Sequence, residues 1–119
     1  MTTVVFLRSF REFRVHFLIL IIIFLGLTLF GRTIFFEFVY DDFHFLVGNR
    51  AVHDHVNPLY FLSHPKSTWT SPELHTYRPL ATWFFALEYQ LFLLDPFYYH
   101  LASVVLHIIN ALLAFLLLS

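Results

Sequence analysis

The sequence has no cysteine, only three glycines, and charge on only 13% of its 119 residues. The missing thiols exclude a disulfide scaffold, a thiolate zinc site and a cysteine nucleophile together, and they say nothing about compartment. The scarcity of charge excludes an ordinary soluble domain. Seven basic and eight acidic side chains cannot clothe the core of a chain that is 59% hydrophobic, with a mean hydropathy of +0.72. A formal net charge of -1 leaves no basic stripe to neutralise phosphates, so the composition argues against a nucleic-acid partner. What is abundant is hydrocarbon, including 17 Phe. The composition is that of a membrane protein, with the lipid bilayer as its first partner.

The stretch "VHFLILIIIFLGLTLFGRTIFF" (15–36) predicts the first transmembrane helix. Its apolar or small residues run unbroken from Phe17 to Phe30, and with their flanks reach the roughly 20 residues that cross a bilayer at about 1.5 Å each. Arg8, Arg11 and Arg14 stand against the single acid Glu12 on its amino-terminal flank. That bias places the amino terminus in the cytoplasm and the following loop on the outer face, whether periplasmic, extracellular or lumenal. A cleavable signal peptide would share the basic start, but no A-x-A-like site follows, and Gly31-Arg32-Thr33 leads straight into further aromatics. Arg32 can snorkel to the headgroups.

Residues 37–78 change character, with five of the eight histidines, three of the five prolines and the acids Asp41, Asp42, Asp54 and Glu73. They predict a long outer loop carrying short surface helices, one of them starting at Ser71-Pro72-Glu73. A second transmembrane helix is expected over 79–94, opened by Pro79, because proline suits a first helical position. At helical rise it reaches only about 24 Å, so Tyr77 and Arg78 are placed in the outer interface. A tight turn at 94–98 leads to a third span over 98–119. The fold class expected is an all-α membrane protein of three transmembrane helices. The last residues lie inside a hydrophobic run, which suggests the front end of a longer protein or a truncated relic of one.

The polar residues carry the functional question. Asp41 and Asp42 follow the first span directly, at the depth where a lipid-borne substrate presents its reactive group. Two solvated carboxylates ending a helix are the plain reading, although an acid at a helix carboxyl end meets the unfavourable end of the dipole. The sharper reading is a general base that accepts a proton from a hydroxyl. Arg78 could meet a phosphate there or simply snorkel. His44, His53, Asp54 and His55 are types that ligate zinc or manganese, but their spacing matches no helical zinc motif. Exposed loop histidines are the default and a divalent metal, as in a small metal-uptake accessory, is the alternative. Glu88 falls within the second hydrophobic run, where an ionisable group needs a partner. His107, with Asn110 three residues on, is the candidate.

Three pieces in register carry a resemblance: Tyr40-Asp41-Asp42 with Asn49, Tyr77-Arg78-Pro79-Leu80, and Pro96-Phe97-Tyr98-Tyr99-His100-Leu101 with Leu106-His107. Over roughly residues 20–115 the chain resembles the amino-terminal region of polytopic protein O-mannosyltransferases, particularly the transmembrane and tetratricopeptide-repeat-containing kind. The resemblance implies part of the membrane-embedded glycosyltransferase C (GT-C) superfamily fold, with a polyprenyl-phosphate sugar as donor and a protein hydroxyl as acceptor. It implies catalytic roles for Asp41, the base, and Asp42, the second acid. Arg78, His44 and Asn49 are the expected substrate-binding residues, and no resident cofactor is expected. Glu88 stands where the family commonly has an uncharged residue, and Ala102-Ser103 replaces a more usual Val-Asn. With three spans against the family's many, the chain is expected to be inactive alone, completed by the missing carboxyl-terminal part of the enzyme or by partner chains. The alternative is a non-catalytic small membrane protein or subunit.

Overall fold

The computed structural model describes residues 2–68, 70 and 76–118, with side chains from residue 12 onward. The described residues form helices and turns, with no strand among them. Helix α1 spans Thr2–Phe30 and continues into a 3₁₀ turn, Gly31–Phe35. A π turn, Phe43–Val47, precedes two short helices, α2 (Arg50–Asp54) and α3 (Pro58–Ser63), and a 3₁₀ turn, Pro65–Thr68. Helices α4 (Pro79–Phe92) and α5 (Pro96–Leu118) complete the chain. The helix start expected at Ser71-Pro72-Glu73 lies outside the described residues.

The helices begin where their capping chemistry dictates. Asn49 and Asn57 cap α2 and α3 by accepting from Ala51 N–H at 3.1 Å and Leu59 N–H at 2.9 Å. Asp95 does the same for α5 through Phe97 N–H at 3.1 Å. Pro58, Pro79 and Pro96 each open a helix, where the missing N–H leaves no bond unmade. Among the described residues, two segments are long and apolar enough to cross a membrane, Glu12–Phe35 and Pro96–Leu118, close to the expected first and third spans. The expected second span is different. Helix α4 has 14 residues, about 21 Å at helical rise, which falls short of a hydrocarbon core of about 30 Å.

The chain divides into two units, Met1–Ile34 with His100–Ser119, and Phe35–Tyr99. In the first, the side of α1 at Gly26 meets α5. A Cβ on Gly26 would stand 2.6 Å from Ile108 Cγ1, so the missing side chain is what permits the approach, the usual use of small residues between apolar helices. One turn on, Phe30 and His107 meet edge to face with centroids 4.6 Å apart. Thr28 returns its hydroxyl to the carbonyls of Phe24 (2.9 Å) and Leu25 (3.1 Å), so α1 offers lipid no unpaired hydroxyl at that position. Gly26→Val is expected to lower the stability of this helix pair by about 1–3 kcal/mol through overpacking, read as an earlier thermal transition in detergent.

The second unit is a miniature helical core. Leu46, Val52, Phe61, Ala86 and Tyr99 are buried together, with Phe38, Trp83, Phe85 and Tyr89 packed around them. Helix α4 is its spine: α2 and α3 lie against it, and its side chains satisfy their backbones. Trp83 Nε1 donates to Val56 O at 2.9 Å, and Gln90 Nε2 to His53 O at 3.3 Å. Tyr77, just before α4, donates to Leu62 O at 2.9 Å. The apolar run 79–94 is thus used as the wall of a small core. Glu88 sits on the buried side of that wall, only 5% exposed, and its Oε1 has no hydrogen-bond partner among the described residues. The partner expected for it, His107, belongs to the other unit and packs on Phe30.

Burial pushes the Glu88 carboxyl up from its ordinary value of 4.5 to about 7. The folded form therefore holds a proton that the unfolded chain releases. Stability from this group is fully present below about pH 4.5, falls as pH rises, and is gone above about pH 7. The expected loss is on the order of 3 kcal/mol. Glu88→Gln should flatten that slope in melts taken between these limits, and an unchanged slope would remove Glu88 as its source.

Candidate functional site

The acid pair sits on a backbone built to hold it. Val39 N–H donates to Asp42 Oδ2 at 2.9 Å, while Asp42 N–H returns to Val39 O at 2.9 Å. This reciprocal pair resembles a capping box and commits one Asp42 oxygen to the main chain. Between them Tyr40 has φ of 38°, a left-handed conformation that costs a bulky residue about 1–3 kcal/mol. The strained residue immediately precedes Asp41. Asp41 is exposed, Asp42 half-buried, and among the described residues no side-chain hydrogen bond holds the Asp41 carboxylate.

The turn that follows is wound one residue wider than an α-helix. Gly48 N–H closes it on Phe43 O at 2.9 Å, and a Cβ on Gly48 would stand 2.9 Å from that same oxygen. Glycine is therefore required here by close approach. Such π turns recur at functional sites. This one carries Phe45, whose ring centroid lies 5.8 Å from Arg78 Cζ, within reach of a cation–π contact.

Arg78 stands at the amino-terminal boundary of α4, where its carbonyl accepts from Thr82 N–H at 3.0 Å and from Thr82 Oγ1 at 2.9 Å. The consequence is a cavity of about 130 Å³ lined by Asp41, Asp42, Phe45, Arg78, Thr82 and Phe85, with Ala81 at its edge. Two carboxylates and a guanidinium from distant parts of the sequence thus share one space whose walls are mostly apolar. Compared with known protein families, curated proteins and solved structures, the chain matches none.

The lining charges sum to -1 if both acids are ionised. An anion entering the cavity is drawn to the Arg78 side, and a hydroxyl donor to the aspartates. Asp42 is partly engaged with the backbone, so Asp41 is the carboxylate with both oxygens open to a proton.

The other expected site residues lie elsewhere. His44 is exposed on the π turn and outside this cavity. Asn49 is buried, and its hydrogen-bonding groups are engaged within the chain: besides capping α2, its Nδ2 donates to Ser67 O at 3.0 Å and Phe45 O at 3.4 Å. Through Phe45 it steadies the π turn that follows the acids. His53 stacks on Tyr89 with centroids 4.1 Å apart and places Nε2 3.1 Å from Leu46 O. His55 stacks on Tyr60 at 3.6 Å. Among the described residues, no three His, Asp or Glu side chains gather as a metal site.

Phe45, Thr82 and Phe85 were not among the residues the sequence singled out. Helical spacing is the signal that would have found them. Phe45 is four residues after Asp41 and Thr82 four after Arg78, spacings that share a helix face.

Proposed function

We propose that this chain carries the acid and arginine half of the active site of a membrane glycosyltransferase, which moves a sugar from a polyprenyl-phosphate donor to a protein hydroxyl. The observation that supports this reading most is the shared cavity of Asp41, Asp42 and Arg78. In the reaction, Asp41 takes the proton of a serine or threonine hydroxyl as its oxygen forms a bond to the anomeric carbon. The bond from that carbon to the phosphate oxygen breaks with inversion. The lipid phosphate departs with the electron pair, stabilised by charge-assisted hydrogen bonds from Arg78. Both ends of the Phe35–Tyr99 unit continue into candidate spans, which suits a donor anchored in lipid.

A cavity of about 130 Å³ is below the roughly 300–1,000 Å³ of sites that enclose a small molecule. It has room for the reacting centre and not for the whole donor. The remaining walls come from further protein, and the chain alone is inactive. Membranes carrying the chain, alone and assembled with such protein, would be given radiolabelled polyprenyl-phosphate mannose and a serine- and threonine-containing peptide. Labelled peptide from the assembled form alone is the expected result; no label from either would overturn the proposal. The capping bond of Asp42 to Val39 favours a second reading, in which the acids only shape the turn of a non-catalytic membrane subunit.

A further inference from the structure

We propose that a second hollow in the Phe35–Tyr99 unit, walled by Arg50, His64 and Lys66, binds a phosphate-type anion. The hollow has a volume of about 470 Å³ and shares no lining residue with the Asp41 cavity. Arg50 and Lys66 are two of the three Lys or Arg residues between 35 and 99. Both line this one concavity, together with Ser67 and Thr70, and no carboxylate is among its described lining residues. In a chain so poor in charge, two cations facing one open space with no carboxylate among its described lining residues repel each other until an anion enters.

The walls are fixed to one another. Arg50 begins α2 and Lys66 lies in the turn Pro65–Thr68; Asn49, adjacent to Arg50, joins these elements by its buried 3.0 Å bond to Ser67 O. Thr68, fully buried, anchors the same turn, its hydroxyl 2.9 Å from Pro65 O and 3.0 Å from Thr76 O. On the remaining wall, His64 stacks on Tyr60 at 4.4 Å and engages Nδ1 with Tyr60 O at 3.0 Å, leaving Nε2 uncommitted among the described residues. A guanidinium fork, an ammonium and an imidazole edge around a hollow of this size recognise a phosphate ester. The phosphate can belong to a lipid headgroup or to a soluble compound.

The full chain in uncharged detergent separates these sources by calorimetric titration with dihexanoyl phosphatidic acid and with inorganic phosphate, using dihexanoyl phosphatidylcholine as the control. Carrying Arg78→Gln in every sample removes the other cation of the unit. Binding of either phosphate that weakens about tenfold or more in Arg50→Gln/Lys66→Gln, and returns when Arg50 and Lys66 are restored as Lys and Arg, supports the site. Phosphatidic acid alone identifies a headgroup; inorganic phosphate binding as well identifies a soluble source. Both substituted residues are exposed, and unchanged helicity confirms that the variant is folded. Absence of binding, or binding equal in the folded double variant, would overturn the proposal.

Discussion

Asp41→Asn is expected to lower sugar transfer by about 10²–10⁴-fold, the range for removing a general base, with no loss of stability. Asparagine keeps the shape of the side chain and loses only its capacity to take a proton. The adjacent substitution is the control. Asp42 holds Val39 N–H at 2.9 Å through Oδ2, and asparagine retains an oxygen able to accept that bond. Asp42→Asn should therefore leave most of the transfer. The measurement is initial rate in the assembled enzyme, paired with a melting curve for each variant. If Asp42→Asn proved the more damaging and Asp41→Asn the milder, the base would have to be reassigned; if both merely destabilised the chain, the subunit reading would hold.

The largest stability effect is expected at Phe61. Its side chain is fully buried among Leu46, Val52, Ala86 and Tyr99, and its ring meets Tyr60 at 5.5 Å and 90°. Truncation to alanine removes the transfer energy of a phenyl ring and leaves a cavity, a loss of about 3–5 kcal/mol. In a unit of this size that exceeds most of what holds α3 on α4. Limited proteolysis should show cutting in 50–68 that is slow in the wild type and rapid in Phe61→Ala. Leu59, on the same helix and 67% exposed, provides the contrast: Leu59→Ala should leave cutting unchanged. Equal protection of the Phe61 variant would mean that α3 is held chiefly by the hydrogen bonds of Trp83 and Tyr77.

The sequence displays the two long spans because they need only length and hydrocarbon, and the start of α4 because proline suits a first helical position; Asn57-Pro58 and Asp95-Pro96 mark the starts of α3 and α5 by similar local chemistry but were not singled out. It misplaces α4. An apolar run reads alike whether lipid or the side chains of α2 and α3 cover it, and the difference lies in nonlocal contacts such as Trp83 with Val56. The acids and Arg78 are legible as chemistry, whereas their common cavity depends on the π turn and on Tyr40 in a left-handed conformation. No glycine stands at position 40, so nothing local announces the left-handed conformation of Tyr40. Asn49 illustrates the converse: a polar residue that looks like a ligand contact is engaged as an N-cap and as a tie between two turns.

The proposed function makes Arg78 and the two aspartates one site for a lipid phosphate. Its most direct test is titration of the detergent-solubilised chain with farnesyl phosphate, in an Arg50→Gln/Lys66→Gln background so that only the Asp41 cavity is read. The site as described requires saturable binding that Arg78→Gln weakens about tenfold or more, the effect of one lost charge-assisted contact. Affinity unchanged by Arg78→Gln, or no saturable binding at all, would contradict it.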